Sequence, residues 1–173
     1  MIIAQSVLSV QSAAPGVWSA DWAWGLPLIV VTVVIHALGL EFMSRSAVAI
    51  FDRKMDGRYP TALFAVIMSA VILFATILHG VESAIWALSY QALGAQPDYK
   101  SAVLFSLGAM TTFGNAASLQ ERWQLMGAIE ALNGWLLFGL TTAYLFGTIQ
   151  KCYQIEMRQV SAIRDEEETK LDA

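Results

Sequence analysis

A short hydrophobic segment that ends in two threonines and a glycine contains the residues best suited to chemistry. It runs from Ala102 to Ala116 and reads AVLFSLGAMTTFGNA. If residues 100–112 are helical, they reach only about 20 Å at 1.5 Å per residue, against a hydrocarbon core of roughly 30 Å. Backbone that is not helical at membrane depth is tolerated only where protein buries it or where it lines a watery path. We therefore predict that this segment, with its turn at Thr111-Thr112-Phe113-Gly114, forms a pore loop.

Several polar side chains fall inside apolar segments, where they are costly and are therefore functional hypotheses. His79, Glu82 and Trp86 follow at i, i+3 and i+7 on one helix face. Glu130 and Asn133 are one turn apart on the next long segment, at the expected depth of the pore loop. One interpretation is a hydrogen-bonded support behind the loop, in which Glu82 or Glu130 accepts bonds from loop amides or from His79. The other is a set of interfacial residues that reach water.

The two histidines raise the alternative of a bound metal or haem. By the expected span ends, His36 lies about 10 Å before the inner end of its helix, whereas His79 lies about 27 Å beyond the inner start of its own. At such different depths the two imidazoles are not expected to share one haem. A two-metal site would need paired Glu-x-x-His motifs, and only the reversed His79-Gly80-Val81-Glu82 occurs. We therefore expect no cofactor and no bound metal, and, because no nucleophile–base pair occurs either, no enzymatic activity.

The composition indicates an integral membrane protein. Apolar residues make up 57% of the 173 residues and charged residues 14%, which is too apolar for a soluble domain of this size. The single cysteine, Cys152, has no partner for an intrachain disulfide. With a net charge of −4 and no basic patch, a nucleic-acid partner is not expected. Membrane lipids are the expected surroundings.

Three longer apolar segments must position the pore loop. Tryptophans precede the first of them, as expected of rings at a membrane surface, and Pro27 is tolerated in its first turn. In chain order we expect an exposed N-terminal segment at 1–23, a first transmembrane helix at 24–43, a cytoplasmic loop at 44–60, a region at 61–150 that contains the other two spans, and a cytoplasmic tail at 151–173. Within 61–150 we expect a second span at 61–88, a short re-entrant segment at 100–117 and a third span at 125–149.

The basic residues set the orientation of these spans. The loop at 44–60 carries four of the ten basic residues, and four more follow the third span. The positive-inside rule places both regions on the cytoplasmic side. The N-terminus is then outside and the C-terminus inside, and the short segment at 100–117 begins and ends on the outer side.

The order of span, short helix, Thr-Thr-x-Gly turn and span resembles the pore module of tetrameric potassium channels. The resemblance implies that 61–150 is a pore module, with an outer helix at 61–88, a pore helix and filter at 100–117, and an inner helix at 125–149. More closely, residues 79–150 look like small bacterial two-transmembrane ion-channel proteins. In those, a Thr-Thr-x-Gly-Tyr-Gly-Asp filter is followed by a segment similar to RWQLMGAIEALNG, residues 122–134 here. The resemblance implies an all-α homotetramer in a bacterial inner membrane, with three transmembrane helices plus a re-entrant pore helix and filter loop. It further implies passive conduction of monovalent cations, K⁺ first and Na⁺ as the alternative.

The resemblance also implies which residues form the ion filter, where carbonyl oxygens and a threonine hydroxyl replace the hydration shell of the ion. Thr112 aligns with the filter threonine, Phe113 with the usual valine or isoleucine, and Gly114 with the first glycine, which permits a left-handed backbone. Asn115 and Ala116 replace the tyrosine and the second glycine, and a left-handed Ala costs about 1–2 kcal/mol. The predicted filter residues are Thr111, Thr112, Phe113, Gly114, Asn115 and Ala116. The departure leaves K⁺ selectivity open, with a non-conducting structural or regulatory subunit as the alternative.

The third span, which contains GWLLFGLTTAYLFG at residues 134–147, is by the same resemblance the pore-lining inner helix. Gly134 and Gly139 are hinge candidates, with plain close packing of helices as the alternative. Thr142 and Phe146, four residues apart, are gate candidates, because Phe rings from four subunits could form a hydrophobic gate.

Overall fold

The computed structural model describes residues 15–54, 60–111, 113–114 and 119–171, and these residues form helices and turns with no strand. In chain order the helices are α1 (Pro15–Lys54), α2 (Pro60–Ala92), α3 (Tyr99–Met110) and α4 (Gln124–Leu171), with a 3-10 turn at Glu121–Trp123. Three of them, α1, α2 and α4, are long and apolar enough to cross a membrane. The expected all-α fold, with three helices long and apolar enough to cross a membrane, is therefore confirmed.

The long helices extend further than their apolar stretches indicated. α1 passes both ends of the expected 24–43 span, so the expected loop at 44–60 is helical as far as Lys54. Pro27 consequently lies inside α1 and not in its first turn. α4 continues from the expected inner helix through the tail to Leu171 without a break. Hydropathy marks where a helix leaves the hydrocarbon and not where its hydrogen bonds end, so the polar turns at each end were missed.

The chain divides into two compact units. Of the described residues, unit 1 takes in those up to Val33 and those of Glu82–Trp135, and unit 2 takes in those of Val34–Val81 and those from Leu136 to Leu171. The core of unit 1 includes Trp86, Tyr90, Phe105, Met126 and Ile129. The core of unit 2 includes Leu40, Phe51, Val71, Leu78 and Cys152.

Within unit 2, α1 and α2 run antiparallel. Phe42 of α1 lies 6.5 Å from Phe74 of α2 between ring centroids, and Phe51 lies 6.1 Å from Phe64. The residue numbers rise along α1 as they fall along α2. This is the arrangement expected of two consecutive spans joined by a short connection.

Within unit 1, α1 and α4 run parallel. Asp21 of α1 accepts a hydrogen bond from the backbone N–H of Met126 at 3.0 Å, and Thr32 accepts one from Asn133 Nδ2 at 2.9 Å. The residue numbers rise together along both helices. The Met126 N–H belongs to the first turn of α4, where no intrahelical acceptor exists. Asp21 therefore caps α4 from a neighbouring helix.

Candidate functional site

The candidate site is the turn that follows α3, and α3 itself begins at a well-formed cap. The Asp98 carboxylate accepts hydrogen bonds from the Ser101 backbone N–H at 3.0 Å and from its hydroxyl at 2.8 Å. These bonds, the backbone N–H foremost, hold the pKa of Asp98 below its usual range. At the other end α3 stops at Met110, and the Thr111 hydroxyl donates back to the Leu107 carbonyl at 2.6 Å.

After α3 the backbone leaves the helical conformation. Gly114 has a φ of +85°, in the left-handed region that favours glycine. The prediction that Gly114 is a filter glycine requires this left-handed conformation. Phe113, the preceding residue, is 91% exposed. Of the other predicted filter residues, Thr111 caps α3, whereas Thr112, Asn115 and Ala116 lie outside the described residues.

Within unit 1, the segment between α2 and α4 leaves α2 and returns to α4 at one end of these two helices. Gln120 Nε2 donates to the Gly94 carbonyl at 2.9 Å, and Arg122 donates to the Leu93 carbonyl at 3.4 Å. Gly94 has a φ of +64° in the turn after α2. Leu119 is buried in the core of unit 1. The start and the end of the segment are thus bonded to each other.

From that end, α3 packs against α2 and α4 within unit 1. The Ser83 hydroxyl of α2 donates to the Ser106 hydroxyl of α3 at 3.0 Å. Ser83 lies nine residues before Ala92, or about 14 Å along α2. A Cβ added to Gly134, ten residues into α4, would lie 2.6 Å from the Met110 carbonyl oxygen. The last turn of α3 therefore lies about 15 Å from the ends of its neighbours, or half of a hydrocarbon core.

Within unit 1, a buried carboxyl group on α4 joins α2, α3 and α4. Glu130 of α4 is fully buried and accepts a hydrogen bond from the Tyr90 hydroxyl at 2.7 Å and another from the Ser106 hydroxyl. The Ser106 oxygen also lies 2.9 Å from the Ser83 carbonyl. Because Ser106 has one hydroxyl proton, it donates to one of these acceptors at a time. The network fixes the middle of α3 to α2 and α4.

The remaining predicted support residues divide between the units. Glu82, Trp86 and Asn133 are fully buried in unit 1, where Asn133 donates to Thr32. His79 belongs to unit 2. Four of the five predicted support residues therefore lie in unit 1, the unit that contains α3.

Three residues that form buried hydrogen bonds in unit 1 were not predicted from the sequence as site residues. Tyr90 follows Trp86 by one helical turn, so the same periodicity could have added it. Ser106 stands alone in an apolar run, which gives no signal of a partner. Asp21 lies in the stretch expected to be exposed, yet it is buried and caps α4 at Met126. No local pattern in the sequence indicates that contact.

The predicted hinge and gate residues lie in two different environments on α4. Gly134 is buried, and an added Cβ would lie 2.7 Å from the Met110 Cα, so close packing accounts for this glycine. An added Cβ on Gly139 would meet open space. Thr142 and Phe146 are exposed on α4 of unit 2.

The two histidines lie side by side in unit 2, and the expectation that they occupy different depths was wrong. Their ring centroids are 4.9 Å apart. His36 Nε2 lies 2.9 Å and His79 Nε2 3.2 Å from the Thr141 hydroxyl oxygen. Thr141 donates its own proton to the Leu137 carbonyl at 3.0 Å, so each imidazole donates its Nε2–H to Thr141.

The error in the histidine depths came from the helix ends. α1 continues to Lys54, eighteen residues past His36, and α2 starts at Pro60, nineteen residues before His79. Counted from the true ends of these antiparallel helices, the two side chains are at matching heights. The face of His79 stacks on Phe138 at 4.4 Å between centroids.

No known protein family, curated protein or solved structure matches the chain. The likeness to potassium channels therefore rests on the sequence motif alone.

Proposed function

We propose that the chain is the protomer of a homotetrameric cation channel of potassium-channel type, with α3 as its pore helix. The observation that carries the proposal is the end of α3. A twelve-residue helix stops about 15 Å from the ends of its neighbours and is followed by a left-handed glycine, Gly114. Irregular backbone at that depth needs either protein or a watery path around it.

The exposure of the turn favours a path formed between copies of the chain. Phe113 is 91% exposed and Gly114 is exposed, so a single chain leaves these two residues uncovered. A ring of such turns brings backbone carbonyls together around an axis, where they replace the hydration shell of an ion. Four copies is the number that the resemblance implies.

The buried network around α3 has a clear role in such a channel. A filter loop must hold its geometry while ions pass, and α3 is the element that carries it. Glu130 fixes the middle of α3 through Ser106, and Gly134 allows Met110 to approach α4 closely. These contacts fix the position of the turn. Thr142 and Phe146 of α4 are proposed to line the inner part of the pore.

The proposed permeant ion is K⁺, with Na⁺ as the alternative. Thr112, Phe113 and Gly114 keep the inner half of the motif, whereas Asn115 and Ala116 depart from it. A wider or hydrated outer half follows from that departure, which weakens selection between the two ions. The proposed location is a bacterial inner membrane, with the N-terminus outside and the basic ends of α1 and α4 inside. The protein is proposed to have no enzymatic role.

Ion flux from purified protein tests the proposal. The full chain is reconstituted into liposomes loaded with K⁺ or with Na⁺, and flux is followed over a range of voltage and pH. Flux that requires the protein supports the channel. No flux under any condition contradicts it and favours a non-conducting structural or regulatory subunit.

A further inference from the structure

A cavity of about 480 Å³ opens in unit 2 between the C-terminal half of α1 and the later turns of α4. Its α1 wall repeats at helical spacing through Arg45, Val48 and Asp52. Its α4 wall does the same through Lys151, Ile155 and Arg158. Residues at i, i+3 or i+4, and i+7 share one face of a helix. Two charged faces therefore line the same space.

Cations predominate in this cavity. Arg45, Lys151 and Arg158 contribute three positive charges, and Asp52 contributes one negative charge. Among the described residues, no carboxylate lies within ion-pair distance of Lys151 or Arg158. Arg45 is paired with Glu41, but both side chains are well exposed, so the pair is weak. The cavity thus has an excess of positive charge available to a ligand.

The walls combine this charge with apolar and amide groups. Val48 and Ile155 are half-buried and line the cavity beside Gln154. Arginine forks and lysine ammonium groups are the usual partners of phosphate oxygens. Apolar wall residues suit the glycerol backbone and the first methylenes of an acyl chain. In a membrane-embedded protein, that combination favours a phospholipid over a free anion.

We propose that this cavity binds the phosphate of an anionic phospholipid headgroup, with Lys151 and Arg158 as its main ligands and Arg45 as a third cation. Basic pockets between membrane helices recognise lipid headgroups in this way. The site is formed by α1 and α4 of unit 2, whereas the turn after α3 belongs to unit 1. The inference does not depend on ion conduction.

Binding of a short-chain lipid tests the inference directly. Purified full-length protein in a neutral detergent is titrated with dioctanoyl phosphatidylglycerol, and binding is read by native mass spectrometry and by the shift in melting temperature. Dioctanoyl phosphatidylcholine tests the need for net negative charge, and glycerol 3-phosphate tests whether acyl chains are needed. The cavity variant is Lys151→Gln with Arg158→Gln. Its matched control is Arg53→Gln with Lys54→Gln, which removes the same charge from exposed positions at the end of α1.

We expect the dissociation constant for phosphatidylglycerol to rise about tenfold or more in the cavity variant and less than about twofold in the control. Both variants change exposed side chains and should fold, which their melting temperatures without lipid will check. Equal losses in the two variants would show diffuse surface attraction and overturn the site. Equal binding of phosphatidylcholine would overturn the charge argument. Binding of glycerol 3-phosphate as tight as that of the lipid would assign the cavity to a free phosphate and overturn the lipid assignment.

Discussion

The imidazole rings of His36 and His79 lie 4.9 Å apart in unit 2, and both direct Nε2 at the hydroxyl of Thr141. The three side chains come from α1, α2 and α4. One hydroxyl thereby joins the three long helices of that unit. Each hydrogen bond between helices in an apolar environment adds only modestly to the stability of a protein. The Thr141 oxygen takes part in two such bonds, so its loss should have a measurable effect.

Thr141→Val should destabilise the protein by about 1–2 kcal/mol, because the Nε2–H groups of buried His36 and partly buried His79 lose an acceptor while side-chain shape is kept. Thr142→Val is the matched control, since Thr142 is exposed and its hydroxyl donates to the Phe138 carbonyl of its own helix. Unfolding of the purified protein in detergent gives the comparison. Equal stability of the two variants would mean that the histidine contacts contribute nothing.

Gly134→Ala should destabilise unit 1, because an added Cβ meets the backbone of Met110 at 2.6 Å and backbone cannot yield cheaply. Gly139→Ala should be neutral or stabilising by about 0.5–1 kcal/mol, since its Cβ meets open space and Ala favours the helix. Melting temperatures in detergent separate the two variants. A Gly134→Ala protein as stable as Gly139→Ala would show that α3 and α4 do not pack this closely.

Gly114→Ala and Gly94→Ala form a second matched pair, because both glycines are left-handed and each substitution costs about 1–2 kcal/mol in backbone strain. Only Gly114 belongs to the proposed filter. We expect Gly114→Ala to lose most of its K⁺ flux or to change the K⁺/Na⁺ ratio, and Gly94→Ala to keep both. Liposome flux at equal protein incorporation measures this. Matching losses in the two variants would reject the filter assignment.

The cap of α3 should depend on pH. The pKa of Asp98 is held low in the folded protein, so its contribution to stability is complete above the ordinary value of 3.8. It is lost as the pH falls from there through the lower folded pKa. Asp98→Asn keeps a capping oxygen but does not titrate. The difference in melting temperature between wild type and this variant, followed from pH 7 downward, should therefore change only below about pH 4. A difference that stays constant would contradict the role of the carboxylate.

Much of the fold could be predicted from hydrophobicity. The three spans and the short segment between the second and third followed from runs of apolar residues and from length alone. Helix ends could not be predicted in the same way, as α1 shows by continuing through Ser44 to Lys54. Because the inner end of α1 was placed at residue 43 and not at Lys54, the depth of His36 counted from that end was too small. His36 and His79 were therefore predicted to lie at different depths.

The candidate site was predictable where chemistry is local. The Thr-Thr-x-Gly motif predicted that Gly114 permits a left-handed backbone, and its φ is +85°. The partners of Glu130 were not predictable, because Tyr90 and Ser106 are forty and twenty-four residues away in the chain. The burial of Asp21 depends likewise on a contact more than a hundred residues distant. Periodicity places a side chain on a face but does not say which helix meets that face.

A density map of the purified protein in a lipid nanodisc tests the central claim most directly. The account predicts a fourfold axis with the turns after α3 facing it, Gly114 beside the axis, and density for ions on the axis at that height in K⁺. A monomer, another symmetry, or a map in which Phe113 and Gly114 face lipid would contradict the channel.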